Sequence, residues 1–115
     1  MPKPIILIRT IFLISIITIF YLSLVPSFEI PVFASFSFAI DKLVHFFIFF
    51  YITLLGLICR FRLSNRTVLI SMFSFGLLIE IIHFYHLYRF FEVADLIANL
   101  LGILLASFFI QKKII

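Results

Sequence analysis

Tryptophan is absent from this 115-residue chain, cysteine occurs once, glycine three times, and charged residues make up only 12% of it. Each scarcity excludes something. The lone Cys59 can form neither an intramolecular disulfide nor a cysteine-built metal cluster. Three scattered glycines, Gly56, Gly76 and Gly102, provide no Gly-rich loop of the kind that cradles phosphates. The shortage of charge decides the class. With 65% hydrophobic residues and a mean hydropathy of +1.35, the chain is far more apolar than the roughly 45–50% of a soluble domain. A soluble chain this short would lack the polar surface to cover itself, so lipid is the natural solvent for most of its side chains. Residues 1–115 read as one small transmembrane domain.

About 20 apolar residues cross a ~30 Å hydrocarbon core as a helix. The sequence offers four such runs, at about 10–25, 43–59, 67–85 and 95–110. The first stops at Pro26, the third has Ser64 or Asn65 as its N-cap, and only Glu80 interrupts it before His83. The segment after the first run, Pro26-Ser27-Phe28-Glu29, lacks the small-residue site of a cleaved signal peptide, so that run is expected to be a retained span. Between the first two runs, residues 26–40 hold two prolines, three serines and several phenylalanines, a composition suited to the membrane interface. The fold class expected is all-α, a bundle of four transmembrane helices.

Cations give the orientation, because Lys and Arg in short loops stay on the cytoplasmic side. Lys3, Arg9, Arg60, Arg62, Arg66, Lys112 and Lys113 fall at the two termini and in the loop between the second and third runs, leaving only Lys42 and Arg89 elsewhere. Both termini are therefore expected to be cytoplasmic. The net charge of +4 is a topology signal on this reading, and nucleic acid is not an expected partner.

All five acids, Glu29, Asp41, Glu80, Glu92 and Asp95, lie in the outer loops or the outer halves of spans. Acids contribute little to topology, so their segregation needs another cause. Rising about 1.5 Å per residue from Thr67, Glu80 reaches about 20 Å into the bilayer, with His83 one turn further out. His45 lies about 6 Å below Asp41, and Asn99 equally far below Asp95, so three spans bring polar groups to one layer. Helical phase agrees with depth. Asp41 and His45 are four apart, Glu80 and His83 three apart, and Asp95, Asn99 and Gly102 share a stripe. Gly76 and Gly102 stand where helix backbones would approach behind the cluster. The candidate pocket therefore comprises Asp41, Lys42, His45, Glu80, His83, Arg89, Asp95 and Asn99, and it opens outward. An acid as deep as Glu80 costs about 2.5–3.5 kcal/mol on insertion scales and points to a functional site or a buried ion pair. Cys59 reads as a small apolar filler, since no base shares its level.

Asp41-Lys42-Leu43-Val44-His45 before a hydrophobic span, Glu80 late in the next, then Arg89-x-x-Glu92-x-x-Asp95 leading into Asn99-x-x-Gly102, resembles the VanZ-like family. The likeness covers about residues 41–102, and His83 stands where family members commonly carry Gln. The resemblance implies a small polytopic protein of the bacterial inner membrane, acting at the cell envelope and associated with resistance to the glycopeptide teicoplanin.

Two functions from different classes are expected of such a site. In the first, the outer pocket binds a lipid headgroup or a lipid-linked cell-wall intermediate: Lys42 and Arg89 meet its anionic group, and His45, Glu80 and Asn99 orient it. In the second, Glu80 or Asp41 works with His45 as an acid–base pair on such a substrate. Glu80-x-x-His83 is half of a di-iron bundle motif, but the second copy is missing, so neither a metal nor another cofactor is expected. A transporter role would need an oligomer, since four unbroken spans make a poor carrier alone. Membrane lipids are the expected surroundings, and a homo-oligomer is compatible with the chain.

Overall fold

An apolar chain without water must satisfy its backbone N–H and C=O groups internally, and the α-helix does so within one segment. The computed structural model describes residues 3–24, 38–85 and 93–112, and apart from one turn these are helical: α1 (Lys3–Leu24), α2 (Phe38–Ile58), α3 (Asn65–Phe84) and α4 (Val93–Gln111). Helices α1, α3 and α4 are each long and apolar enough to cross a membrane, and the apolar part of α2 is the shorter stretch Lys42–Ile58.

The ends differ from expectation in instructive ways. Helix α1 starts at Lys3, about seven residues earlier than the uncharged run predicts, because Pro4 is tolerated in a first turn and Arg9 finds carbonyl partners. Helix α2 starts at Phe38, so Asp41 and Lys42 lie inside its first turns and residues 38–40 leave the expected interfacial loop. The rest of that loop, with Pro26, lies outside the described residues. Ser64 is the N-cap of α3: its backbone is extended and its hydroxyl accepts from the Thr67 amide at 3.1 Å.

The most intimate interface joins α2 to α4. Lys42 meets Asp95, and Phe46 and Phe50 meet Gly102, so the contacts advance in the same direction along both helices and the two run parallel. A Cβ on Gly102 would strike the backbone carbonyl of Phe46 and come within 2.9 Å of the Phe50 nitrogen. Ala98, Gly102 and Ala106, four residues apart and all buried, form the small-residue stripe that permits this approach. Helix α3 packs against the pair through Gly76, which faces the Asn99 amide and the Phe49 ring. Phe49, Ile52, Val68, Met72, Ile79 and Ile103 form the apolar core.

Helix α1 lies on the outside of this trio, against α2 and α3, and none of its described residues is fully buried. Phe12, Ile16, Ile19 and Phe20 pack on the core, and polar ties mark both ends and the middle. At one end Arg9 donates to the carbonyls of Cys59 at 2.9 Å and Arg60 at 2.6 Å, capping α2, while its guanidinium lies 5.1 Å from the centre of the Phe61 ring. Midway, the Ser15 and Tyr51 hydroxyls share a hydrogen bond of 2.9 Å. At the other end, Ser23 meets His83.

Candidate polar site at one end of the bundle

The interior of a membrane-type bundle should be apolar, yet one end of this one is filled with ionisable and amide groups. Glu80 is fully buried and His83, Asp95 and Asn99 nearly so, the last at 1% exposure. Placing such groups away from water is costly unless they meet partners, so their pairing defines the site.

Two groups, one of three side chains and one of two, organise it. In the first, the Lys42 ammonium from α2 donates to Oδ1 of Asp95 on α4, and Nε2 of His45, one turn along α2, stands 3.6 Å from Oδ2 of the same carboxylate. Asp95 thus sits between a lysine and an imidazole, and its place in the first turn of α4 adds the favourable end of the helix dipole. His45 keeps 23% of its side chain accessible, so this group faces outward.

The second pair is internal. His83 places Nε2 at 2.9 Å from the Ser23 carbonyl, and a carbonyl only accepts, so Nε2 carries the proton. Its Nδ1 then faces Oε2 of Glu80 at 3.3 Å. The two groups are neighbours, with Glu80 close enough to act electrostatically on Asp95.

Asn99 lies one turn deeper than Asp95, its Nδ2 against Gly76, and its Oδ1 is buried with no hydrogen-bond partner among the described residues. The Thr53 hydroxyl on α2 is in the same condition. Such groups are uncommon in folded proteins, and they make this interior a place where a small polar guest would be welcome.

Of the residues singled out from sequence, the structure brings Lys42, His45 and Asp95 together and sets Glu80 against His83. The side chain of Asp41 and the whole of Arg89 lie outside the described residues, as does Glu92. Among the described residues, no three His, Cys, Asp or Glu side chains gather where a metal could be held. Sequence reading missed Thr53, although it continues the stripe from His45 through Phe49 in steps of four. It also missed the Ser23 carbonyl as the partner of His83 and the use of Arg9 as a cap, neither of which residue type reveals.

No protein-family model matches the chain, and no solved structure matches it. It is similar to a protein of the fission yeast Schizosaccharomyces pombe described as uncharacterized, with 39% identity over 70 residues. The match takes in 57% of this chain and 43% of the yeast protein, so the chain spans less than half the length of that relative.

Proposed function

We propose that the chain is a four-span membrane protein with both termini cytoplasmic, whose polar end binds the headgroup of a lipid or lipid-linked intermediate. The observation that carries this reading is the buried set Glu80, His83, Asp95 and Asn99, delivered by two packed helices to one level and joined there by Lys42 and His45. A bundle needing only stability would fill that volume with apolar side chains, which often serve at least as well as ion pairs. The long dimension of 43 Å matches the ~40–45 Å of a bilayer with its headgroups. Arg9 meets the turn that holds Arg60, away from the acids, which supports the cytoplasmic assignment.

The proposed ligand is an anionic, hydrogen-bonding headgroup on an apolar tail; the accessible ring of His45 supports this class, and Arg89, outside the described residues, is the cation the sequence offers for it. The bacterial envelope and teicoplanin resistance rest on the VanZ-like resemblance, and the yeast relative lies outside that setting. Binding of a polyprenyl diphosphate to purified protein in detergent tests the reading. His45→Ala and Arg89→Ala should each weaken it roughly tenfold, about 1.4 kcal/mol. Unchanged affinity in both variants would overturn the headgroup assignment.

The carboxylate–imidazole pair of Asp95 and His45 favours a second reading, acid–base chemistry on the same substrate, since a carboxylate can orient an imidazole for proton transfer. Loss of turnover in Asp95→Asn or Glu80→Gln with binding retained would select the enzyme over the binding protein.

A further inference from the structure

At the end of the bundle opposite the acids, the turn from α2 to α3 surrounds a cavity of about 300 Å³ lined by Arg60, Phe61, Arg62 and Leu63 with Gly56 and Val68 behind them. Four features of this turn bear on what it could bind. Arg60 and Arg62 both adopt positive φ, 53° and 65°, a conformation that favours Gly or Asn and is unfavourable for a long side chain. Neither guanidinium has a salt-bridge partner among the described residues, and residues 59–66 contain no acid. Arg66, in the first turn of α3, stands at the positive end of the helix dipole, where a cation is unfavourable. Phe61 and Leu63, alternating with the arginines, are exposed at 37% and 53%. Topology explains why cations are on this side and the end of α2 accounts for left-handed backbone at Arg60, but neither requires arginine at both left-handed positions or a cavity between them.

We infer that this turn binds the phosphate of an anionic phospholipid, with Arg60 and Arg62 on the headgroup and Phe61 and Leu63 in the acyl region beside it. Arg9 makes the arrangement possible by holding the Cys59 and Arg60 carbonyls, which fixes the turn in the conformation that lines the cavity with both arginines. Leu63, together with the part of Phe61 that Arg9 and Phe12 leave open, favours a lipid over free phosphate, because an acyl chain would cover this apolar edge and a soluble anion would not. Guanidinium groups suit the partner, since their fixed fork of donors matches phosphate oxygens.

The test is native mass spectrometry of the full chain in detergent doped with equal phosphatidylglycerol and phosphatidylcholine. Wild type should retain phosphatidylglycerol preferentially. With about 1 kcal/mol per cation near a charged membrane surface, the Arg60→Gly/Arg62→Gly double variant should lose that preference by roughly thirtyfold. Glycine relieves the positive φ, so a melting temperature at or above wild type is expected and separates lost binding from lost fold. If the glycine variant does not fold, Arg60→Asn/Arg62→Asn serves instead, because Asn also tolerates this conformation. Retained preference in the neutral variant, or equal retention of both lipids by wild type, would overturn the inference. Displacement of the lipid by excess inorganic phosphate would reassign the groove to a free anion, and resistance to it supports the lipid. Because His45 and Arg89 are untouched, polyprenyl diphosphate binding should survive in these variants, which keeps the two sites distinguishable.

Discussion

His83 near the end of α3 donates from Nε2 to the carbonyl of Ser23 in the last turn of α1, across 60 residues of sequence. The same ring faces Glu80 through Nδ1, so one imidazole both fastens the peripheral helix and partners a fully buried acid. Removing His83 should therefore cost more than replacing the Glu80 carboxyl by an amide. His83→Ala leaves a buried carboxyl and a helix-end carbonyl without their partner, about 1–3 kcal/mol for such a loss. Glu80→Gln keeps the size and the contact with the ring, and should stay within about 1 kcal/mol of wild type. Thermal unfolding in detergent of both single variants and the double variant measures the coupling. Strict additivity would show that the two side chains do not interact.

The Lys42 and Asp95 pair yields a prediction of a different form. Both side chains are largely buried, with 14% and 6% exposure, so truncating one partner removes a close charge contact in a site of low polarity. Asp95→Asn and Lys42→Met should each lower stability by about 1–3 kcal/mol, less than a fully enclosed pair because Lys42 retains some water. The combined variant Lys42→Met/Asp95→Leu should recover most of the loss. Chemical or thermal unfolding of the three variants checks this, and a double variant worse than both singles would contradict it.

Cys59 lies fully buried just past α2, where burial pushes its thiol up and Arg9 opposes the rise. The thiolate is the reactive form, so a raised thiol reacts more slowly at any given pH and gains rate only further into the alkaline range. Maleimide labelling of the folded protein should accordingly be slow at neutral pH and climb at higher pH than for a free cysteine. Arg9→Ala removes the charge that favours the thiolate, but it also releases the cap over the Cys59 carbonyl. Exposure should dominate, and labelling should accelerate by about tenfold or more as the end of α2 frays.

Much of this architecture was legible because its signals are local. Four apolar runs specify four helices, Ser64 announces a helix start, and the spacing of Glu80 and His83 places them on one face. The ends of α1 and α2 were less legible, because charge is a poor boundary marker when a cation such as Arg9 finds carbonyls on a neighbouring helix. The polar site divides along the same line. Sequence spacing relates residues on one helix, so Asp95 with Asn99 is readable. Which carboxylate Lys42 meets, or which carbonyl His83 reaches, depends on the register between helices, and that is set by close packing. Lys42 illustrates the point: as a cation in an outer loop it suggested contact with a ligand, whereas it lies within α2 against Asp95.

That register is set most tightly at Gly102, and the three glycines provide a graded test of it. A methyl at Gly102 would meet the backbone of α2, which cannot yield without moving the whole helix. At Gly76 it would meet the Asn99 amide at 2.8 Å and the Phe49 ring at 3.1 Å, side chains with some freedom to turn. At Gly56 the nearest atoms belong to Phe12 and Val68 at 3.3 Å, a contact relieved by a few tenths of an ångström. Alanine lowers the unfolded-state entropy and suits a helix, which offsets the crowding by about 1 kcal/mol at each position. The net result should be clear destabilisation for Gly102→Ala, about 1–3 kcal/mol, a smaller loss for Gly76→Ala and little change for Gly56→Ala. Because α2 and α4 also carry Lys42, His45 and Asp95, separating them should open the polar pair as well. Gly102→Ala should then weaken polyprenyl diphosphate binding although no ligand group is altered, whereas Gly56→Ala should leave it intact. Melting temperatures and binding measured on the same three variants decide the matter, and equal effects at all three glycines would refute a register held by the α2 and α4 contact.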